Sequence, residues 1–526
     1  MKINQRKSGT ILSYIQMIES TLIGLAYTPV MLRLMGQSEY GLNGTASGLT
    51  SFLSLLSFGL SGAYIKHVMA YRVSGDKEGE NRLNGIFTVL YSFFSMLVVI
   101  AGTILIFASD NIFGNSLNEH ELHEIKWIMF LTIINYVITF IFNPVMMFIQ
   151  SHEKFWFFRI VAILINLVNP VVNIVALTFF PYSITVSIST LLFQIITVIV
   201  YFIYAYFKLN MRFSFRHLEF SVFKSVFLFS AFLFLNEITN LITNNTDRIV
   251  LSVASGTIAV AIYSVGTSFT SFFGSFSTSI SGVFAPSINR IIAQSKVDNT
   301  DPDPELNKLF LKVGRLQFIV LTLALIGFSS IGYPFIVLWA GEEYSYSYWI
   351  ALLLMLTPYI PFIQNTGLEI QRAKNMHKTR SIVYFIVALF NIALTIPAAY
   401  HFSRPPFTPG LGGIAAAFAT FISVILGQVV FMNVFYQKKV GVDVINFWKN
   451  ILRMIPGMLI PLAVGLLMSH FVYPDSWIKI IIEGIIIVVV YSVSVYLFSM
   501  NRYERDLFTS PIKNFFRKIF KSKKVK

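Results

Sequence analysis

Apolar residues occur along this chain in about fourteen runs of roughly twenty residues each, and short polar segments separate the runs. About twenty residues, at ~1.5 Å per residue, cross the ~30 Å hydrocarbon core of a bilayer as a helix. The strands of a membrane barrel would instead alternate apolar and polar positions over about ten residues, which these runs do not do. The pattern therefore predicts an all-α polytopic membrane protein with about fourteen transmembrane helices.

The seventh predicted span, residues 223–254, carries polar side chains on one face of an otherwise apolar helix. Glu237, Asn240, Asn244 and Arg248 follow at steps of three and four. At about 100° per residue they fall within about 80° of arc. Ionisable side chains at membrane depth are costly, so they face a bundle interior or a water-filled cavity. The stripe indicates a transport pathway, although a structural contact between helices explains Asn240 or Asn244 alone equally well.

The first two spans also carry polar residues that could line such a pathway. Span one, residues 8–35, has Glu19 near mid-depth and Arg33 near its outer end. Span two follows a predicted turn at 36–41 and has a face of small polar side chains. Closely packed helices have similar faces, so lining and packing both remain open. The members of this face are Asn43, Ser47, Thr50, Ser54, Ser57 and Ser61.

The most specific signal in the chain is an internal repeat. Nineteen residues from Thr50 align without gaps to nineteen residues from Thr270, and six positions are identical. Farther along, RLNGIF in the first half matches ELNKLF in the second at nearly the same offset. An even number of spans per copy predicts two pseudo-symmetric six-helix lobes in the same orientation, with the substrate between them. The predicted segments are 1–220 (spans 1–6), 221–440 (spans 7–12), 441–500 (spans 13 and 14) and 501–526 (a basic cytoplasmic tail).

The same alignment pairs acidic and hydroxyl side chains of the two lobes. With a two-residue shift, Glu19 falls opposite Glu237. Two inward carboxylates could take up protons or a cation as the lobes rock, and helix donors that simply hold each acid are the alternative. We therefore predict no cofactor and leave proton or sodium coupling open. The hydroxyl face of span two maps onto Thr267, Thr270, Ser277 and Ser281 of span eight.

The formal net charge of +15 comes from 40 Lys and Arg against 25 Asp and Glu. On this span assignment, all but five of these cations lie in the two tails or in the loops and helix ends on one side of the membrane. Positive loops stay cytoplasmic, so both termini are predicted inside the cytoplasmic membrane and nucleic acid is not an expected partner. The tail has apolar residues at helical spacing among Lys and Arg, which predicts an amphipathic helix on membrane lipids. They are Ile512, Phe515, Phe516 and Ile519.

Four segments carry a family resemblance, and they read LMGQSEYGLNGTASGLTSFLSLLSFGLSGA, NTDRIVLSVASGTIAVAIYSVG, PFIVLWAGEEY and LGGIAAAFAT. They resemble segments of bacterial polysaccharide flippases, whose superfamily also holds multidrug and toxin extruders and lipid II flippases. The resemblance implies alternating access, with spans one, two, seven and eight lining a central cavity. It also implies an undecaprenyl diphosphate-linked oligosaccharide as cargo, and a polysaccharide polymerase and other assembly proteins as partners. Arg33 and Arg248 are the cations that could attract the phosphates.

Two alternatives remain. A cation-coupled multidrug extruder of the same superfamily fits Glu19 and Glu237 as well, because its cavity would need mainly carboxylates and aromatic residues. A membrane enzyme of polysaccharide assembly, such as a polymerase, would need a sizeable segment with clustered acids or arginines, and none is present. We therefore predict a transporter without catalytic residues. The chain has no cysteine, and its histidines show no ligand spacing, so His120 and His123 are assigned to a solvated outer loop rather than to a metal site.

Overall fold

The computed structural model describes residues 5–57, 60–216, 220–374, 376–404 and 406–510, and these residues form helices and no β-strand. The prediction of an all-α polytopic protein is confirmed. The α-helices are α1 (Gln5–Thr50), α2 (Leu60–Ser74), α3 (Lys77–Phe113), α4 (Glu119–Ser151), α5 (Phe155–Phe179), α6 (Ser183–Ile203), α7 (Phe220–Ser255), α8 (Thr257–Asp298), α9 (Asp303–Ala340), α10 (Tyr346–Ile363), α11 (Asn365–Ala373), α12 (His377–Phe402), α13 (Pro409–Val424), α14 (Met432–Phe435), α15 (Val444–Leu452), α16 (Pro456–Phe471) and α17 (Trp477–Phe498).

Among the described residues, eleven helices are long and apolar enough to cross a membrane, and the bent pair α15 and α16 makes a twelfth. One of the eleven, Leu12–Ser74, has 63 residues and therefore the length of two spans. Helix α7 covers the predicted seventh span. Counting the long helix as two spans and α7 as one accounts for the fourteen spans predicted from the sequence.

Two predicted outer connections are much shorter in the structure. The turn predicted at 36–41 is the single residue Gly36, whose φ of 78° and ψ of 175° interrupt α1 without ending it. The segment 332–347, predicted as an outer loop, is mostly helical, because α9 continues to Ala340 and breaks only at Gly341, where φ is 119°. Both breaks use backbone angles that glycine adopts without steric cost.

Polar residues extend α3 and α4 beyond the apolar runs. Asn118 caps α4 by accepting a hydrogen bond from the N–H of Glu121 at 2.8 Å, and the Glu121 carboxylate accepts one from the N–H of Asn118 at 3.0 Å. This capping box starts α4 inside the segment that the sequence assigned to an outer loop. The Asp76 side chain caps α3 by accepting a hydrogen bond from the N–H of Gly79 at 2.8 Å, so only Gly75 and Asp76 separate α2 from α3. The segment containing the predicted amphipathic helix after residue 510 lies outside the described residues.

The chain forms two compact units. Unit one contains residues 1–264 and 384–419, and unit two contains residues 265–383 and 420–526. In unit one, α3 packs on α4, α4 packs on α6 and α1 packs on α5. The predicted lobe boundaries near residues 220 and 440 stay predictions.

The core of unit two is organised around α9, which packs against α10, α16 and α17. Arg315 of α9 is only 7% exposed and forms two hydrogen bonds to Glu504, which is 1% exposed. The distances are 2.6 Å from Nε to Oε1 and 2.8 Å from Nη2 to Oε2. Nη2 also donates to the carbonyl of Ser499 at 2.9 Å. This buried pair joins the end of the last span to the middle of the unit.

A matching contact occurs in each unit at the two LN motifs of the internal repeat. In unit one, the side-chain amide of Asn84 donates to the carbonyl of Arg212 at 2.9 Å. In unit two, the amide of Asn307 donates to the carbonyl of Gly441 at 2.9 Å. Each acceptor follows a five-residue π-helix. The internal repeat of the sequence thus corresponds to the same type of hydrogen bond in each of the two units.

Candidate functional site

Helix α7 presents the predicted polar stripe on an exposed face. The side chains of Glu237, Asn240 and Asn244 are exposed, and that of Arg248 is half-buried. Gly48 of α1 lies against the start of the Arg248 side chain, since a Cβ at Gly48 would be 3.4 Å from Cβ of Arg248. Arg248 is therefore held at the contact between α1 and α7, within unit one. The role of the stripe in lining a pathway stays a prediction.

Glu19 lies on α1 where this helix packs against α5. Gln16 accepts a hydrogen bond from Arg159 at 2.7 Å, and Asn166 donates to Ser20 at 3.4 Å, so polar side chains join the helices on both sides of Glu19. Both carboxylate oxygens of Glu19 are buried and accept no hydrogen bond from the described residues. A carboxylate in such surroundings is suited to receive a proton or a cation.

The predicted polar face of span two divides into exposed and buried members. Ser47 is exposed and donates a 3.4 Å hydrogen bond to the side chain of Asn43, which is half-buried. Thr50 is buried, and its hydroxyl donates to the carbonyl of Ala46 at 2.7 Å, so this group is used within the helix. Ser54 is half-buried in the 3₁₀ segment that follows α1. Arg33, nearer the kink, is exposed.

The corresponding residues of α8 belong to unit two. Thr267 and Thr270 are half-buried, and the buried hydroxyl of Thr270 has no hydrogen-bond partner among the described residues. Farther along the same face, Ser277 donates to the carbonyl of Phe362 at 3.1 Å and Ser281 accepts from Asn365 at 2.9 Å. These two serines therefore serve packing between helices, which was one of the two interpretations left open for such a face. The later part of this face does not line an open surface.

Asp247 of α7 is a buried carboxylate that the sequence reasoning missed. It is 2% exposed. The hydroxyl of Tyr263 on α8 donates to Oδ2 of Asp247, and the hydroxyl of Thr395 on α12 donates to Oδ1 at 3.3 Å. Asn391, one turn before Thr395 on α12, is buried as well. Residues of α8 and α12 that belong to unit one thus place oxygen-bearing side chains around one acid of α7. The signal in the sequence was an aspartate at membrane depth directly before Arg248.

Chemically, this group of side chains can bind a small cation or a proton. Carboxylate, hydroxyl and amide oxygens are the ligands that hard cations take in proteins. Ionisable residues within spans are costly and mark ion or substrate pathways. The Asp247 group is therefore a candidate site for a coupling cation or proton in unit one.

Unit two contains an apolar cavity of about 490 Å³ at its surface. Side chains of α9, α17 and the helical residues 502–510 line it, and they include Ile319, Leu323, Leu497 and Phe508. A cavity of this size and polarity fits part of an acyl or isoprenoid chain.

Solved structures of multi-span transporters share this fold. A structure described as lipid II flippase MurJ in an inward closed conformation has a TM-score of 0.66 at 17% identity, covering 95% of this chain and 99% of that one. An inward-facing multidrug resistance MATE transporter of the MOP superfamily has a TM-score of 0.58 at 14% identity, covering 81% and 99%. A mutant form of the Vibrio cholerae MATE transporter VcmN has a TM-score of 0.53 at 12% identity, covering 83% and 98%.

The family follows from the sequence match. A family model described as polysaccharide biosynthesis protein matches residues 6–292, which is more than half of the chain. The chain therefore belongs to the polysaccharide biosynthesis protein family, and the predicted family resemblance is confirmed. No curated protein sequence matches it.

Proposed function

We propose that this protein is a flippase that moves undecaprenyl diphosphate-linked oligosaccharides across the bacterial cytoplasmic membrane for surface polysaccharide synthesis. The observation that carries this proposal is membership of the polysaccharide biosynthesis family. The cargo moves from the inner to the outer leaflet by alternating access, and both termini lie in the cytoplasm. A polysaccharide polymerase and other assembly proteins receive the product. The protein moves its cargo without making or breaking a covalent bond, so it is a transporter and not an enzyme.

Such cargo has a polar head and a long apolar chain, and the protein offers side chains suited to both. Asn43, Ser47 and Asn244 can exchange hydrogen bonds with sugar hydroxyls, and Arg33 can pair with the diphosphate. The apolar cavity of unit two is suited to part of the prenyl chain. The fold shared with a lipid II flippase is consistent with a lipid-linked cargo.

A multidrug extruder is the second candidate, favoured by the fold shared with MATE transporters. The two functions differ in what accumulates when transport stops. We expect a deletion strain to accumulate lipid-linked oligosaccharide units that face the cytoplasm, and a plasmid copy of the gene to restore surface polysaccharide. The measurement is mass spectrometry of lipid-linked sugars with a lectin-accessibility assay in vesicles of each orientation.

The extruder predicts a different result in the same strain. It predicts normal lipid-linked sugars together with increased sensitivity to cationic drugs. That outcome would reject the flippase.

In the proposed transport mechanism, the carboxylates of Glu19 and Glu237 couple transport to an ion. We expect Glu19→Gln combined with Glu237→Gln to reduce transport at least about fivefold, because both variants remove charge while keeping side-chain shape. Surface polysaccharide restored by the variant in the deletion strain is the measurement, with protein abundance in membranes measured in parallel. Glu305→Gln, at an exposed carboxylate of α9 outside the predicted pathway, is the matched control. Normal transport by the double variant would remove both glutamates from the coupling mechanism.

A further inference from the structure

Three metal-ligating side chains of unit one meet beside the start of α6. Glu39 lies on α1, three residues after the Gly36 kink, and His120 and Glu124 lie one turn apart near the start of α4. Each offers a ligand atom, and these atoms all lie within 4.8 Å of one another. Nδ1 of His120 is 3.9 Å from Oε2 of Glu124. This group is separate from Asp247 and from the predicted polar stripe.

The first residues of α6 fix the two carboxylates. The backbone N–H of Ser183 donates to Oε2 of Glu39 at 2.8 Å, and that of Ile184 donates to Oε1 of Glu124 at 3.2 Å. N–H groups in the first turn of a helix have no partner inside the helix and favour anions. A backbone N–H of α6 thus orients each carboxylate through one of its two oxygens.

The second oxygen of Glu124 is the independent observation that points to a ligand. The residue is 6% exposed. Its Oε2 is buried and accepts no hydrogen bond from the residues that the structure describes. Leaving a buried acceptor without a donor costs about 1–3 kcal/mol, and more when the acceptor is charged. Since His120 and Glu39 are the groups beside this oxygen, a cation held among the three would compensate that cost.

We propose that Glu39, His120 and Glu124 form a binding site for a divalent transition-metal cation of the Zn²⁺ or Mn²⁺ class. An imidazole nitrogen with two carboxylate oxygens suits these ions, whereas Ca²⁺ and Mg²⁺ take oxygen ligands. Ligand atoms around tetrahedral Zn²⁺ are about 3.4 Å apart, so the ligand atoms approach one another by less than about 1.5 Å on binding. The His120 side chain is 70% exposed, so it can make this movement and water can fill the remaining position.

Binding at this site joins helices that are far apart in the sequence. The ion links the part of α1 after the Gly36 kink to α4, and the Ser183 and Ile184 hydrogen bonds link both to α6. The positive-loop pattern predicts that this end of α4 faces outwards, so the ion would come from outside the cell. The ion therefore restrains α1 next to its kink.

The test uses the full chain, purified in detergent with a tag that contains no histidine and treated with a chelator. Isothermal titration with ZnCl₂ and MnCl₂, and with CaCl₂ and MgCl₂ for comparison, measures the affinities. The thermal unfolding midpoint is measured with and without metal. We expect one saturable site for at least one of these ions, and an unfolding midpoint that metal raises. His120→Ala and Glu39→Gln are each expected to weaken binding at least tenfold. His123→Ala, an exposed histidine one turn further along α4 and outside the cluster, should bind as the wild type does.

Three results would overturn the proposal. The first is the lack of saturable one-to-one binding in the folded wild type, which would mean that the cluster holds only a proton. The second is equal affinity in His120→Ala and His123→Ala. The third is binding of Ca²⁺ or Mg²⁺ as tight as that of Zn²⁺ and Mn²⁺. Because His120 is exposed, its alanine variant is expected to fold, and the metal-free unfolding midpoint checks this.

Discussion

Replacing Asp247 by asparagine is expected to reduce transport at least about tenfold while the protein still reaches the membrane in normal amounts. Asparagine has nearly the same shape, and its amide oxygen can still accept one of the two hydrogen bonds from Tyr263 and Thr395, while its NH₂ group can donate to the other hydroxyl oxygen. It cannot carry the negative charge that a coupling cation or proton needs. The measurement is restored surface polysaccharide in the deletion strain, together with protein abundance in isolated membranes.

The control for Asp247→Asn is Tyr263→Phe, which removes one hydrogen bond to the same carboxylate and keeps the charge. We expect it to retain more transport than Asp247→Asn. If the two variants transport equally well, or if Asp247→Asn transports normally, Asp247 holds the helices together and does not couple an ion.

Glu504→Gln is expected to destabilise the protein by about 3–5 kcal/mol, because it leaves the buried guanidinium of Arg315 without a counter-charge. Both side chains are almost fully buried, so water cannot replace the lost partner. The measurement is the unfolding midpoint of the purified protein in detergent, with heat and with denaturant.

Two further variants separate the loss of a charge from the loss of this pair. Arg315→Met combined with Glu504→Leu removes both charges and is expected to recover most of the stability. Arg372→Gln breaks an exposed ion pair with Glu369 and should cost less than about 1 kcal/mol. An unchanged midpoint in Glu504→Gln would mean that the carbonyls of Ser499 and Asn450 satisfy Arg315 without a counter-charge.

The sequence was sufficient for the fold class because each span must be apolar over its own length. Apolar runs are visible in the sequence itself, so about fourteen spans could be predicted without a structure. The internal repeat was found by aligning the two halves of the sequence. The ends of the helices were less predictable. Glu119 and Glu121 are polar and were assigned to a loop, yet they form the first turn of α4 because Asn118 and Glu121 satisfy each other's backbone N–H groups.

The candidate site was only partly predictable. Helical periodicity shows which residues share a face of a helix, but it does not show which other helices pack against that face. Ser277 and Thr270 share a predicted face of α8, but Ser277 is used in packing and the hydroxyl of Thr270 has no partner among the described residues. Asp247 was missed since it lies off the stripe of α7. Its importance comes from Tyr263 and Thr395, and only the fold brings these residues together.

His120 illustrates the same limit from the other direction. In the sequence it lies in an acidic segment, where the i, i+4 pair of His120 and Glu124 gives no sign of a third ligand. Glu39 comes from a helix far earlier in the chain, and the N–H groups that orient the carboxylates come from α6. Glu39 and the N–H groups of α6 are therefore not visible in the local sequence around His120.

The asparagine contacts of the internal repeat bear on how far the sequences of the two copies can diverge. Asn84 and Asn307 both bind a main-chain oxygen, one belonging to an arginine and the other to a glycine. A main-chain oxygen is present whatever amino acid occupies the position. Substitutions at the acceptor position can therefore accumulate in either copy without breaking the hydrogen bond. A duplication can then remain recognisable in the structure after most of the sequence identity between the two copies has been lost.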